Sequence, residues 1–330
     1  MKIGVVVPSY SAGPQVRGLL RRLDPGPFPA GLMHHPIART PARAVTSCID
    51  VSLESGKGDK LQPTIAKRPD TATLVSARDF YNSLAETYDL YYVDWDEEIS
   101  TQAETIRRLL PDFADHGRRL LDCSCGIGTQ ALGLAAKDRV VAADFSFASV
   151  DRARREGRER KLDLGFAVAD MRRLPFANGS FDAVISFDNS LPHLTTEADL
   201  RAGLTEMARV LRDEGTLLIS VRDYDEARAR RPRTTAPSVR DVPGGRFITF
   251  QIWHWSDDGE RYGFEHIQME HIYPYEWRVH RRMTTYWALT RAQITVELQA
   301  VGLSVVEWLE PSDTGYFQPI VRAGRALRTS

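Results

Sequence analysis

The stretch Leu120-Leu121-Asp122-Cys123-Ser124-Cys125-Gly126-Ile127-Gly128-Thr129 constrains the fold more than any other part of this chain. An apolar run ends in an acid, small residues and two glycines follow, and Gln130 to Ala136 has the composition of a helix start. This order builds a tight strand-to-helix turn whose backbone can lie against a ligand. A Cβ at the glycines would collide with that ligand or forbid the turn.

The same rhythm continues downstream. Arg139 to Ala143 is a short apolar run closing at Asp144, and Phe145 to Arg158 reads as a helix with Ser146 as its N-cap. Leu164 to Val168 is a third strand, running into Ala169-Asp170-Met171. Phe181 to Phe187 is a fourth, and Gly215 to Val221 a fifth after an amphipathic helix over about Thr196 to Leu211. Alternating strands and helices predict a doubly wound α/β fold on a mostly parallel sheet. Right-handed crossovers put the ligand at the C-terminal strand edge. Asp122, Asp144, Asp170 and Asn189 all fall at or just past strand ends.

Two ligand classes compete for that edge. Gly126 to Ala131 fits the G-x-G-x-x-A form of a dinucleotide fingerprint, which would seat a pyrophosphate on the helix N-terminus. The acid four residues before Gly126 favours an adenosyl group with a positively charged tail, S-adenosyl-L-methionine. Asp144 suits a ribose in either case. The chain's ending helps to decide. A helix over Thr290 to Val301 precedes strands over Leu303 to Leu309 and Tyr316 to Ala323, a closing pair that speaks against a dehydrogenase.

Four segments carry a family resemblance: LLDCSCGIGT (120–129), VAADFS (141–146), FDAVISFDNSLPHL (181–194) and LLISVRDYD (217–225). From about Asp79 to Arg325 the chain resembles the class I S-adenosylmethionine-dependent methyltransferases, and within them the glycine and glycine/sarcosine N-methyltransferases. The resemblance implies a seven-stranded, mostly parallel Rossmann-like sheet with an antiparallel insertion as a lid. It implies S-adenosyl-L-methionine as cofactor, held by Asp122, Ser124, Gly126, Gly128, Asp144, Phe145, Asp170 and Met171. Asp144 would accept from the ribose hydroxyls, and Asp170 and Met171 would meet the adenine. Asn189, Arg222 and Tyr91 would serve the acceptor, with Arg222 clamping a carboxylate through its planar guanidinium. The family usually has glycine where Ser124 stands.

Plainer readings compete at single positions. Asp122 can cap the following helix, Arg222 can pair with Asp223 or Asp225, and His193 reads as structural more readily than as a base. Cys123 and Cys125 lack partners at metal-ligand spacing, so no metal is expected. The basic run Arg228 to Arg233 reads as a solvated loop.

Composition fits a soluble, cytoplasmic enzyme, and the resemblance implies a small amine or amino acid as its substrate. Lys and Arg number 43 against 44 Asp and Glu, so no global attraction to nucleic acid or membrane is expected. No apolar run approaches the roughly 18–20 residues of a membrane span, and three cysteines fit a reducing compartment.

The expected organisation is a Pro-rich extension over 1–70 and a methyltransferase domain over 71–330, with 223–290 as inserted lid. The extension holds nine of the 18 prolines, too little patterned apolar surface to offset chain ordering. A strand over Met1 to Tyr10, a short helix over Gln15 to Leu23 and a role in homo-oligomer contacts are its expected contributions. Phe80 to Asp94 and Glu98 to Leu110 read as helices covering the donor. Arg246 to Ala288 alternates with period two, predicting three antiparallel strands over the acceptor site. The acceptor is then glycine, sarcosine or a related small amino acid. The alternatives are another small metabolite and, less favoured, a Rossmann NAD(P)-dependent oxidoreductase.

Overall fold

Leu120 and Leu121 are fully buried, and they point to opposite faces of the sheet that organises the molecule. The structure, a computed structural model, describes residues 76–110, 119–242, 245–272 and 276–326. The expectations for residues 1–70 lie outside the described residues.

The central strand β1 (Arg119–Asp122) pairs in parallel with β2 (Arg139–Asp144) on one side and β4 (Phe181–Ser186) on the other. Strand β3 (Leu164–Val168) closes the first side. On the second side β5 (Leu211–Ser220) is parallel to β4, and β11 (Ile320–Gly324) then runs antiparallel between β5 and β10 (Val305–Leu309). The order is β10-β11-β5-β4-β1-β2-β3, the seven-stranded sheet the sequence implies. The chain winds outward in opposite directions from β1 and β4, so a crevice opens at their C-terminal ends.

Helices cover both faces. Leu120, Ala142 and Ile185 pack with Ala103, Ile106 and Leu134 of α2 (Trp95–Leu109) and α3 (Thr129–Ala135). Leu121, Ala143 and Val184 face α5 (Glu197–Val210) and α7 (Arg291–Ala300). Gly133 fixes how closely α2 and α3 approach, since a Cβ there would lie 2.2 Å from the Ile99 carbonyl oxygen. Helix α4 (Phe147–Glu159) starts at Ser146, whose hydroxyl accepts from Ser149 N–H as expected of an N-cap.

The predicted helix over Phe80 to Asp94 is two elements. Helix α1 (Ala77–Leu84) gives way to a 3-10 segment over Ala85–Tyr91, and Asp94 then caps α2 by accepting from Glu97 N–H. Asn82 ties α1 to the sheet edge: its side-chain oxygen accepts from Ser146 Oγ at 2.8 Å and Ala148 N at 3.2 Å.

Between β5 and α7 lie α6 (Tyr224–Arg230) and a second, antiparallel sheet. Its strands are β6 (Ser238–Val242), β7 (Gly245–Trp255), β8 (Arg261–Ile272) and β9 (Glu276–Trp287). The period-two pattern predicts the last three. Strand β6 went unpredicted because a short, exposed, charged edge strand carries no burial pattern. One face of this sheet buries Trp253, Tyr262, Phe264 and Tyr286 against Phe80 and Leu84 of α1. The contact sets the sheet beside the crevice. No described helix is long and apolar enough to cross a membrane.

Candidate active site

The turn after β1 is held by Cys123 N–H to the Ile185 carbonyl (3.0 Å) and Cys125 N–H to the Ala143 carbonyl (2.9 Å). Both glycines sit in the left-handed region, at φ 50° for Gly126 and 99° for Gly128. They do different work. A Cβ on Gly126 would meet nothing within 4 Å and would project into open space, whereas one on Gly128 would press on Leu132 and Ala153 at 3.1–3.2 Å. Gly126 therefore leaves room for a ligand, and Gly128 lets α3 pack on α4.

That open space is a cavity of about 410 Å³ at the C-terminal strand edge. Asp144 lies in its wall, with Oδ2 accepting from Gly126 N–H at 2.9 Å and Oδ1 from Ser146 N–H at 2.8 Å. Burial pushes its carboxyl up to about 6, against the opposing pull of backbone N–H groups. Ser124, Phe145, Asp170 and Met171 line the same cavity. Ser124 Oγ lies 2.9 Å from Ser186 Oγ. The Asp170 carboxylate is held by Arg172 at 3.0 and 2.7 Å, which keeps it below the usual carboxylate range.

A second cavity, of about 380 Å³, adjoins the first. Tyr81, Tyr88, Tyr92 and Asp188 line both. Asn189 and Arg222 line the second. Asn189, at φ 66°, accepts from Arg222 N–H at 3.0 Å and donates to Tyr224 Oη at 2.9 Å, so it joins the end of β4 to the segment after β5. The Arg222 guanidinium donates to Tyr262 Oη at 3.0 Å and stacks over Trp253 at 4.4 Å. No carboxylate among the described residues lies within ion-pair distance of it. Asp223, its rival partner in the sequence reading, pairs instead with Arg291 at 3.0 Å.

Residues 120–215 match the family model described as a methyltransferase domain. Residues 120–215 are thus a methyltransferase domain by that model. Over 136 residues it is 37% identical to a glycine/sarcosine N-methyltransferase of Parasynechococcus marenigrum, covering 40% of this chain and 47% of that protein. Over 106 residues it is 44% identical to a demethylmenaquinone methyltransferase of Beutenbergia cavernae, covering 32% of this chain and 40% of that one. The chain thus spans about half, or less, of the length of these relatives. The solved structure of SAM-bound CalS10, an amino pentose methyltransferase from Micromonospora echinaspora, superposes with a TM-score of 0.57 over 73% of this chain and 95% of that one. At 21% identity that likeness concerns the fold.

The methyltransferase domain distributes the sequence-predicted residues unevenly. Ser124, Gly126, Asp144, Phe145, Asp170 and Met171 converge on the first cavity. Asp122 and Gly128 do not line it. Asp122 lies fully buried beneath the turn, where Oδ1 accepts from Ser124 N–H at 3.3 Å and burial raises its carboxyl. Its Oδ2 has no partner among the described residues. Tyr91 lines only the second cavity and stacks on His266 at 4.7 Å.

Sequence reasoning lets the tyrosines of Phe80 to Asp94 reach the donor pocket but singles out only Tyr91, not Tyr81, Tyr88 or Tyr92, and it misses Asp188. The tyrosine-rich segment 81–92 and the acid beside Asn189 were the available signals. His193 is half-buried in the wall of the first cavity, bonded to Tyr81 Oη at 2.8 Å, and desolvation lowers its pKa to about 3. Arg228, read as part of a solvated loop, instead donates from α6 to the Ala288 carbonyl at 2.7 Å.

Proposed function

We propose that the protein transfers a methyl group from S-adenosyl-L-methionine to the amine of glycine, sarcosine or a related small amino acid. The observation that carries the amino-acid reading is Arg222, a guanidinium without a carboxylate partner among the described residues, in the wall of a cavity that adjoins the donor crevice. A planar guanidinium matches a carboxylate with two parallel hydrogen bonds. Similarity to a glycine/sarcosine N-methyltransferase supports the same acceptor.

The first cavity fits the donor. Its volume of about 410 Å³ suits a nucleoside-sized ligand. Gly126 leaves the backbone bare where a Cβ would project into the space. Asp144 carries acceptor oxygens at the position where ribose hydroxyls are bound in folds of this kind. Asp170 keeps acceptor positions beyond those used by Arg172, since each carboxylate oxygen has two lone pairs, and Met171 adds its backbone N–H for the adenine edge.

The donor supplies an electrophilic methyl group on a sulfonium. The protein's own task is alignment, which can contribute roughly 7–11 kcal/mol in the best intramolecular models. Arg222 fixes the acceptor's carboxylate, Asn189 holds the Arg222 backbone, and the tyrosines between the cavities exclude water. The acceptor ammonium can lose its proton to solvent before binding, so no strong base is required.

A screen with methyl-labelled donor against small amino acids, amines without a carboxylate and quinone precursors tests this reading. Transfer to glycine or sarcosine is the expected result. Efficient transfer only to carboxylate-free acceptors would overturn it in favour of another small metabolite, a reading that the similarity to a demethylmenaquinone methyltransferase also supports.

A further inference from the structure

The two cavities meet at Asp188. This residue follows β4 with φ 54° and lines both spaces. Three donors from three separate segments hold the carboxylate. Tyr92 Oη donates to Oδ2 at 3.0 Å, Gln130 Nε2 to Oδ2 at 2.8 Å, and Tyr316 Oη to Oδ1. Its backbone N–H donates to Ser220 Oγ at 2.8 Å, anchoring it to the end of β5. No Lys, Arg or His among the described residues comes within ion-pair distance of it. A carboxylate offers about four acceptor positions. Three are used, and the one left is on Oδ1.

The second cavity therefore carries opposite charges on its walls. Arg222 is the cation, and Asp188, at the opening to the donor cavity, is the acid; burial raises its carboxyl, and the hydrogen bonds from Tyr316, Gln130 and Tyr92 favour the ionised form. Glu98, the other acid in the wall, lines the second cavity alone and accepts from Gln102 at 3.0 Å. A small zwitterion lies across such a pair with its carboxylate on the cation and its nitrogen at the donor's opening.

We propose that Asp188 is the group that receives the acceptor's nitrogen. Its free Oδ1 position accepts an N–H from the amine and turns the nitrogen lone pair toward the donor cavity. The inference deepens the amino-acid reading and rests on it for the carboxylate end. The acceptor first gives one proton to water and binds as the neutral amine. Its lone pair then forms the N–C bond while the C–S bond breaks, the electron pair staying on sulfur. The positive charge moves from sulfur to nitrogen, and the product leaves as the methylated ammonium, so the proton given up before binding is the one released per methyl transferred.

Asp188→Asn tests the assignment, because asparagine keeps the shape and tolerates the left-handed backbone. The acceptor KM should rise roughly 10- to 150-fold, the value of one charge-assisted hydrogen bond, while donor affinity by calorimetry stays as in the wild type. The matched carboxylic acid with a methyl in place of the amine (propionate for glycine) should inhibit both proteins equally. An unchanged acceptor KM, or an equal loss for amine and propionate, overturns the proposal.

A measurement on the wild type stands beside it should the variant not fold. The amino acid should bind the donor-loaded enzyme at least about tenfold more tightly than propionate, and equal affinity overturns the role. If a carboxylate-free amine proves the true acceptor, the amino-acid reading fails alone. Asp188→Asn assayed with that amine still decides the role of Asp188.

Discussion

Asp144 is where residue chemistry has the largest measurable consequence. Its two oxygens already take backbone N–H groups, so the carboxylate stands at a fixed place at the end of β2. Asp144→Ala should weaken S-adenosyl-L-methionine by about 1.5–3 kcal/mol, the worth of a charged hydrogen-bond acceptor, and equal donor affinity by calorimetry would show that Asp144 does not hold the ribose. The pH dependence has a definite sign. With the carboxyl raised to about 6 by burial, the accepting form is populated above that pH and lost below it. Donor affinity should be flat above pH 6 to 7 and fall about tenfold per unit below 6. Arg222→Lys keeps the charge and loses the fork, so the acceptor KM should rise about tenfold or more with little change in donor affinity. An acceptor KM unmoved by this change means that Arg222 is no clamp. Asp144 and Gly126 were legible in sequence because a strand end fixes where the next residues go. Which tyrosine faces which cavity was not, because the segment winds as a 3-10 turn: three residues make a turn, and Tyr88 and Tyr91 come within 5.1 Å of each other.

At the scale of elements, the strands of the main sheet follow from apolar runs bounded by acids, and their parallel pairing follows from strand-helix alternation. The second sheet shows what pattern can reach. Strands β7 to β9 alternate because one face packs on α1, and Tyr262 stacks on its cross-strand neighbour Tyr286 at 5.4 Å. Strand β6 pairs by backbone alone at an exposed edge, which no side-chain period records. Helix packing depends on close approaches that composition does not reveal either. Gly133 sits inside α3, where alanine would favour the helix by about 1 kcal/mol. Its Cβ would nevertheless lie 2.2 Å from the Ile99 carbonyl oxygen and 2.7 Å from the Ala103 Cβ, and backbone cannot swing aside. Gly133→Ala should therefore destabilise by about 1–3 kcal/mol through overpacking. For a domain of this size that lowers Tm by roughly 2–4 °C per kcal/mol. A Tm equal to or above that of the wild type would mean that α2 and α3 can separate without loss.

For the whole molecule, the sheet, the two cavities and the second sheet are built from residues 76–326, and the matched family segment occupies 120–215 within them. Helix α1 reaches the donor cavity through Tyr81, while Asn82 holds α4 in place. The first 70 residues are rich in proline, with ten Lys and Arg against five Asp and Glu, and carry none of the motifs from which the site was read. A chain beginning at Asp70 should keep the donor affinity and the methyl transfer of the full chain. Calorimetry with S-adenosyl-L-methionine and a labelled-methyl assay on both chains measure this directly. Equal donor affinity with lost transfer would place part of the acceptor site in the first 70 residues. Lost donor binding in a shortened chain that retains its circular dichroism and cooperative melting would mean that the extension completes the donor cavity, and that the domain begins well before residue 71.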